Sequence, residues 1–226
     1  PIYPRLLKGQ GRYADDFNLP HQAYMVVVRS PHAHAAITHI DAAAAQAMPG
    51  VIEVLTGADY ESDGMGEIVG PSPHKRRDGT PMQRPPRPAL SRHQVHHVGQ
   101  PVALVIAETA AQARDASEAV DVSYESFPVV VSTGEANSAG QPEIWSQAPS
   151  NEMFVFNAGD ADACEAAIAN AAHVIRNRFV ISRLTTNAME PRAALGAYDP
   201  GEERYTLYVG AQRPYAWRTT MTRNKI

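Results

Sequence analysis

A chain of 226 residues, 44% of them hydrophobic, is long enough to bury a sizeable core and to form one or two domains. Its net charge of -4, with both signs interspersed, disfavours non-specific nucleic-acid binding, and no run approaches the roughly 20 apolar residues that cross a bilayer. The one cysteine, Cys164, excludes an internal disulfide framework and, with no basic and apolar leader in view, points to a reducing, cytoplasmic setting.

In chain order, residues 1–20 read as an irregular arm with turns at Gly9-Gln10-Gly11 and Asp15-Asp16. Residues 23–29 (AYMVVVR) predict a strand that ends at Ser30-Pro31, with His32 and His34 flanking a turn. A shorter strand is expected over 36–40. Asp41 then caps a short alanine helix to Met48, which Pro49-Gly50 stops. Residues 51–56 predict another strand, closed by Gly57.

Residues 60–92 differ in character, because ten glycines and prolines from Gly64 to Pro88 leave no periodic apolar face. Lys75-Arg76-Arg77, Arg84 and Arg87 among those prolines could dock a partner in a polyproline conformation. A solvated connection lying on a neighbouring domain or subunit explains them more simply.

The stretch 97–128 organises the chain. Residues 102–107 form a continuous apolar run suited to a strand buried on both faces. Thr109 caps a helix with Ala110, Ala113, Ala116, Ala119 and Val120 on one side. Val120, Val122 and Tyr124 then alternate with Asp121, Ser123 and Glu125, as in a half-buried strand. Together these predict a compact βαβ unit. Ahead of it, Pro101 holds Gln100 extended at a strand entrance, where its side chain could project into a cleft. The element order indicates an α+β or α/β domain over roughly 10–133.

Residues 132–149, rich in Ser, Gly, Gln and Pro, read as a second linker. Asp160 caps a helix whose alanines Ala163, Ala166, Ala167 and Ala171 face one way around Ile168. Residues 173–181 (HVIRNRFVI) alternate as a strand with one apolar face. A hairpin of strands over 193–198 and 205–209 turns at Asp199-Pro200-Gly201-Glu202. Pro214 opens a last helix carrying Trp217, and its uncapped end at Ile226 reads as an interruption.

Four blocks, VGQPVALVIAETAAQARDASEAVDVSYESFPVVV, GDADACEAAIANAAHVIRNRFVISR, NAMEPRAALGAYDP and YTLYVGAQRP, stand in this order. Together, with Gly9-Gln10-Gly11-Arg12-Tyr13 ahead of them, they resemble the molybdopterin-binding large subunit of the xanthine dehydrogenase and aldehyde oxidase family, which includes carbon monoxide dehydrogenases. The resemblance implies an α+β fold: an α/β hammerhead domain over 1–133, a linker over 134–150, and the beginning of a mixed α/β molybdopterin-binding domain over 151–226. The family's glycine-rich G-G-F-G segment, its pterin-binding loops and its catalytic glutamate have no counterpart in these residues, so no catalytic residue is assigned within this chain.

The resemblance also assigns site residues. In the family a glutamine after a strand, in a short S/G-T/A-Q segment, hydrogen-bonds an oxo ligand on molybdenum. Gly210-Ala211-Gln212 matches that segment, so Gln212 is the leading cofactor-binding candidate. An uncharged amide there can orient a metal-bound oxygen without adding charge; capping of the following helix is the simpler account of the same residue. Gln100 is a second cofactor-binding candidate, although a turn-stabilising side chain explains it equally well. Glu190 and Arg192, two apart on an extended segment, point to one face and read as an ion pair or a packing contact. His93, His96 and His97 lack a Cys or carboxylate at ligand spacing, which favours surface or interface histidines over a metal site. Cys164, on its alanine-rich helix, reads as packed and inert.

The implied activity is oxidation of an aldehyde, an N-heterocycle or a related small substrate through attack by a metal-bound hydroxide and hydride transfer. The implied cofactors are molybdenum–molybdopterin, completed by further polypeptide, with FAD and [2Fe-2S] clusters on partner chains. The implied partners are the remainder of the large subunit, an iron–sulfur subunit and a flavin subunit in a higher oligomer, with no nucleic acid. The alternative is a non-catalytic docking subunit of a redox complex. Nucleic-acid binding through 75–87 is disfavoured by the acidic net charge.

Overall fold

A computed structural model of the chain describes residues 3–68, 73–182 and 184–224. Gly70 and Pro71 of the glycine- and proline-rich excursion, and the terminal Ile226, lie outside the described residues. In chain order the helices are α1 (Tyr3–Leu7), α2 (Ala43–Gln46), α3 (Gly57–Ser62), α4 (Ala110–Glu118), α5 (Ala161–Ala169) and α6 (Pro214–Asn224). The strands are β1 (Tyr24–Arg29), β2 (Ala35–Asp41), β3 (Val51–Thr56), β4 (Gln94–Val95), β5 (Pro101–Ala107), β6 (Asp121–Ser126), β7 (Ala194–Asp199) and β8 (Arg204–Val209). By contacts the chain divides into two compact units, Leu19–Val155 with Gln212–Ile226, and Pro1–Asn18 with Phe156–Ala211.

The larger unit is built on β5. Antiparallel partners flank it on both sides, in the order β1-β5-β3. Ala103, Val105 and Ala107 are fully buried on one face of β5, while on the other Val102 is buried and Leu104 and Ile106 are half-buried. Ala103 and Val105 pack with Val54, Ala45, Ala116 and Val120, which brings α4 and α2 onto one face. Val102 packs instead with Ala35 and Val95 of a second antiparallel sheet, ordered β4-β2-β6. The small alanines at Ala113 and Ala116 let α4 lie close to β5, and burial of this face drives the layering.

The βαβ expectation for 97–128 needs correction. The strand, helix and strand form where the pattern places them, but β5 and β6 belong to different sheets. β1 and β3 already occupy both edges of β5, so β6 has no free edge beside it and pairs with β2 instead. Every strand pairing in the described residues is antiparallel, which makes the fold α+β.

Caps behave as their chemistry demands. Thr109 accepts from Gln112 N at 3.2 Å, and Asp160 accepts from Ala163 N at 2.9 Å. Asp41 accepts from Ala43 N at 2.9 Å, although Ala42 is the formal cap of α2. β3 does not simply close at Gly57. Thr56 caps α3, and the Asp59 carboxylate returns to the Thr56 N–H and hydroxyl, each at 2.7 Å. Those bonds, the hydroxyl's first, hold the Asp59 carboxyl below its ordinary value.

In the smaller unit β7 and β8 form the expected hairpin, with Asp199 Oδ1 accepting from Gly201 N and Glu202 N in the turn. The arm is less irregular than expected, because α1 forms within it. Phe17 stacks on Tyr208 of β8 at 5.6 Å, and the Arg12 guanidinium lies over the Phe17 ring at 4.4 Å.

Two expectations fail in this unit. Residues 173–181 form no strand; Ile175, Phe179, Val180 and Ile181 are each more than four-fifths exposed. A strand needs a ladder partner, and the described residues offer this segment none. Cys164 is exposed, not packed, because the whole of α5 is exposed among the described residues.

Candidate functional site

The larger unit holds a cleft of about 680 Å³ at the end of the β4-β2-β6 sheet. Gln100 lies in its floor, 9% exposed, as the strand-entrance position suggested. Its amide is engaged at both ends: Nε2 donates to Ser91 Oγ at 2.6 Å, and Oε1 accepts from His96 N at 2.6 Å. Its backbone carbonyl accepts from Ser30 N at 2.9 Å. Gln100 thereby ties the end of the excursion, the β4–β5 turn and the end of β1 to one point. These bonds support the turn-stabilising account of this residue.

Four rings, His96 of the floor among them, form a column. His34, 8% exposed, meets Phe127 edge-on at 5.1 Å and stacks on His96 at 5.6 Å. His96 lies flat against Trp145, with centroids 3.4 Å apart and planes 9° apart. His34 Nδ1 lies 3.0 Å from Pro128 O, which selects the tautomer protonated at Nδ1. His96 Nδ1 is buried with no hydrogen-bond partner among the described residues. Burial, followed by the charges of His34 and His97, pushes His96 down to about 4, so its ring is neutral at neutral pH. Around the rim, Arg92 pairs with Glu61, the Tyr60 hydroxyl donates to Gly66 O, and burial pushes the Tyr60 phenol up.

The other sequence candidates do not gather here. His93 and His96 both line the cleft, but among the described residues no three His, Cys, Asp or Glu side chains converge as a metal site. Glu190 and Arg192 form no ion pair with each other. Glu190 lies instead over Gly210, where an added Cβ would sit 2.6 Å from its Oε1. The Lys75–Arg77 segment does not extend as a polyproline ligand. It forms a small hairpin, with Lys75 bridged to Pro81 and to Val155 of the same chain. Gln212 follows β8 and precedes α6. It is exposed, caps nothing, and its carboxamide has no hydrogen-bond partner among the described residues.

Sequence reasoning passed over Trp145, His34 and Ser91. Trp145 carried a usable signal, since a tryptophan in a Ser-, Gly- and Pro-rich connection has to find cover for its ring.

The family model for the aldehyde oxidase and xanthine dehydrogenase a/b hammerhead domain matches residues 8–128, more than half of the chain. The chain belongs to the aldehyde oxidase and xanthine dehydrogenase family. A second model, for a molybdopterin cofactor-binding domain, matches residues 144–224 of this family member. The nicotine 6-hydroxylase large subunit of Paenarthrobacter nicotinovorans is 36% identical over 211 residues, 93% of this chain and 25% of that protein. The carbon monoxide dehydrogenase large chain of Hydrogenophaga pseudoflava is 30% identical over 96% of this chain and 27% of that protein. Quinoline 2-oxidoreductase from Pseudomonas putida 86 superposes with a TM-score of 0.80 at 30% identity, over 98% of this chain and 27% of that one. The chain thus spans about a quarter of the length of the relatives it matches. No helix among the described residues is long and apolar enough to cross a membrane.

Proposed function

We propose that this chain is the N-terminal portion of the large subunit of a molybdenum hydroxylase that oxidises an aldehyde, an N-heterocycle or a related small substrate. Its parts would be a hammerhead domain over 1–133, a connection over 134–150 and the beginning of a molybdopterin-binding domain over 151–226. An iron–sulfur subunit with [2Fe-2S] clusters and a flavin subunit with FAD would carry the electrons away, within a cytoplasmic complex.

The observation that carries this reading is Gln212. Its carboxamide is neutral and exposed, without a hydrogen-bond partner among the described residues, at the position that the resemblance aligns with the family's cofactor-contacting glutamine. These are the properties needed to orient an oxygen on a metal centre, because an amide donates and accepts without adding charge. When bound, the molybdenum–molybdopterin group would supply the two-electron oxidation of the substrate carbon. Gln212 would hold that group by hydrogen bonding. Within the smaller unit Gly210, lacking a side chain, leaves room for the Glu190 carboxylate beside its backbone. Gln100 contributes through the floor of the hammerhead cleft, where its amide keeps Ser91 and the β4–β5 turn in register.

Purification of the native complex with metal analysis tests the proposal. Molybdenum should copurify in stoichiometric amount, and its absence from every preparation would overturn the reading. Gln212→Ala should depress turnover per molybdenum with the subunits still assembled; unchanged turnover would favour a non-catalytic docking role.

A further inference from the structure

The excursion after α3 and the connection after β6 are far apart in sequence, yet they are bonded edge to edge. Lys75 O accepts from Val155 N, and Met153 O accepts from Gln83 N, both at 3.0 Å. The Arg77 guanidinium forks over the Glu152 carboxylate, with Nη2 2.9 Å from Oε2 and Nε 3.1 Å from Oε1. His74 lies flat on Phe154 at 4.4 Å, with planes 10° apart. Asn151 gathers the rest of the connection into the same piece. Its Nδ2 donates to Ala136 O and Pro142 O, and its Oδ1 accepts from Ile144 N. Hairpin 74–82 and loop 136–155 therefore make one plate, a compact self-bonded surface element of the kind that often carries function.

This plate supplies one wall of the cleft through Trp145, whose ring rests on His96 of the floor. The two kinds of contact differ in chemistry. Inside the plate the bonds are directional: backbone hydrogen bonds, a bidentate ion pair and a triply bonded asparagine. Where Trp145 meets His96, the contact is a face-to-face stack that can part and re-form without breaking a hydrogen bond, and His96 Nδ1 is unpartnered already. The two tethers differ. On the proline side Pro85 is buried and Arg87 O accepts from Ile68 N at 2.9 Å, so this tether is the fixed pivot, whereas Val131 on the other tether is 82% exposed.

We propose that this plate is a hinged cover that swings as one body over the cleft floor, latched shut by Trp145 on His96. The inference concerns the hammerhead unit alone and does not depend on what the assembled subunit oxidises.

Hydrogen exchange followed by mass spectrometry on the full chain in its purified complex tests it. In Trp145→Ala, the floor amides of residues 94–100 should exchange about tenfold faster, the scale set by losing one aromatic pair. The amides of Gln83 and Val155, bonded inside the plate, should keep their wild-type protection. His96→Ala, which removes the latch from the floor side, should give the same pattern. Arg77→Ala should do the reverse, loosening Val155 and leaving the floor unchanged. Unchanged floor exchange in Trp145→Ala would overturn the proposal. Loss of protection at Gln83 and Val155 together with the floor would also overturn it, because the plate would then be melting, not swinging.

Discussion

Gln100 Nε2 lies 2.6 Å from Ser91 Oγ, and both side chains are buried. The same amide accepts the His96 N–H through its oxygen, so one side chain serves a hydroxyl and a backbone donor that have little access to water. Gln100→Ala would strand both partners. An unsatisfied buried polar group costs about 1–3 kcal/mol, and two of them set a loss of roughly 2–6 kcal/mol. Urea unfolding of the variant should show it as a lower midpoint at unchanged slope. A midpoint within error of wild type would mean that water replaces the amide.

Gly57 is required for a reason of space. A Cβ there would sit 2.7 Å from the backbone N and Cα of Arg92. Backbone cannot rotate away as a side-chain end can, so Gly57→Ala must push α3 from the Ser91–Arg92 backbone it touches. Overpacking of this kind costs about 1–3 kcal/mol. Differential scanning calorimetry should record a lowered Tm, with the far-ultraviolet spectrum retained.

His96 makes stability depend on pH. Its ordinary value is 6.5, and in the folded chain burial, aided by His34 and His97, lowers it to about 4. Between those values the unfolded chain binds a proton that the folded chain refuses. Stability is therefore full above about 6.5 and falls as pH drops toward 4. The part due to His96 is about 1–2 kcal/mol, below what the whole shift would give because the ring is partly exposed to solvent. Unfolding free energies of wild type and His96→Gln, measured at pH 7 and at pH 4.5, isolate it. The variant should lose less stability on acidification, and equal losses would contradict this assignment.

Gln212→Ala separates binding from folding. The side chain is exposed and bonds to nothing among the described residues, so its removal should leave stability within about 0.5 kcal/mol of wild type. Groups that orient a metal centre typically cost 10- to 100-fold in activity or affinity when removed, and turnover per molybdenum should fall by about that factor. Steady-state kinetics on preparations of matched metal content provide the measurement.

Much of the fold was legible residue by residue. β1, β3 and β5 announced themselves as β-branched apolar runs, and the Thr109 and Asp160 caps formed at the positions their side chains dictate. The Thr56–Asp59 capping box carried an equally local signal that went unread, because Gly57 looked like a strand stop. The cleft was a different matter. Gln100 could be placed at a strand entrance, but Ser91, His34 and Trp145 reach it from the excursion, from the entry to β2 and from the second connection. No spacing along the chain relates them.

The sequence by itself determined most of the strands and helices and the Thr109 and Asp160 caps, because each of these depends on neighbours a few positions away, and four blocks in order carried the family resemblance. Tertiary structure alone decided that β6 leaves β5 for another sheet, that 173–181 stays unladdered, and that two apparent linkers bond into one plate. A pattern of apolar residues states which face wants cover. What covers it depends on which edges and surfaces are already taken, and only the assembled chain contains that information.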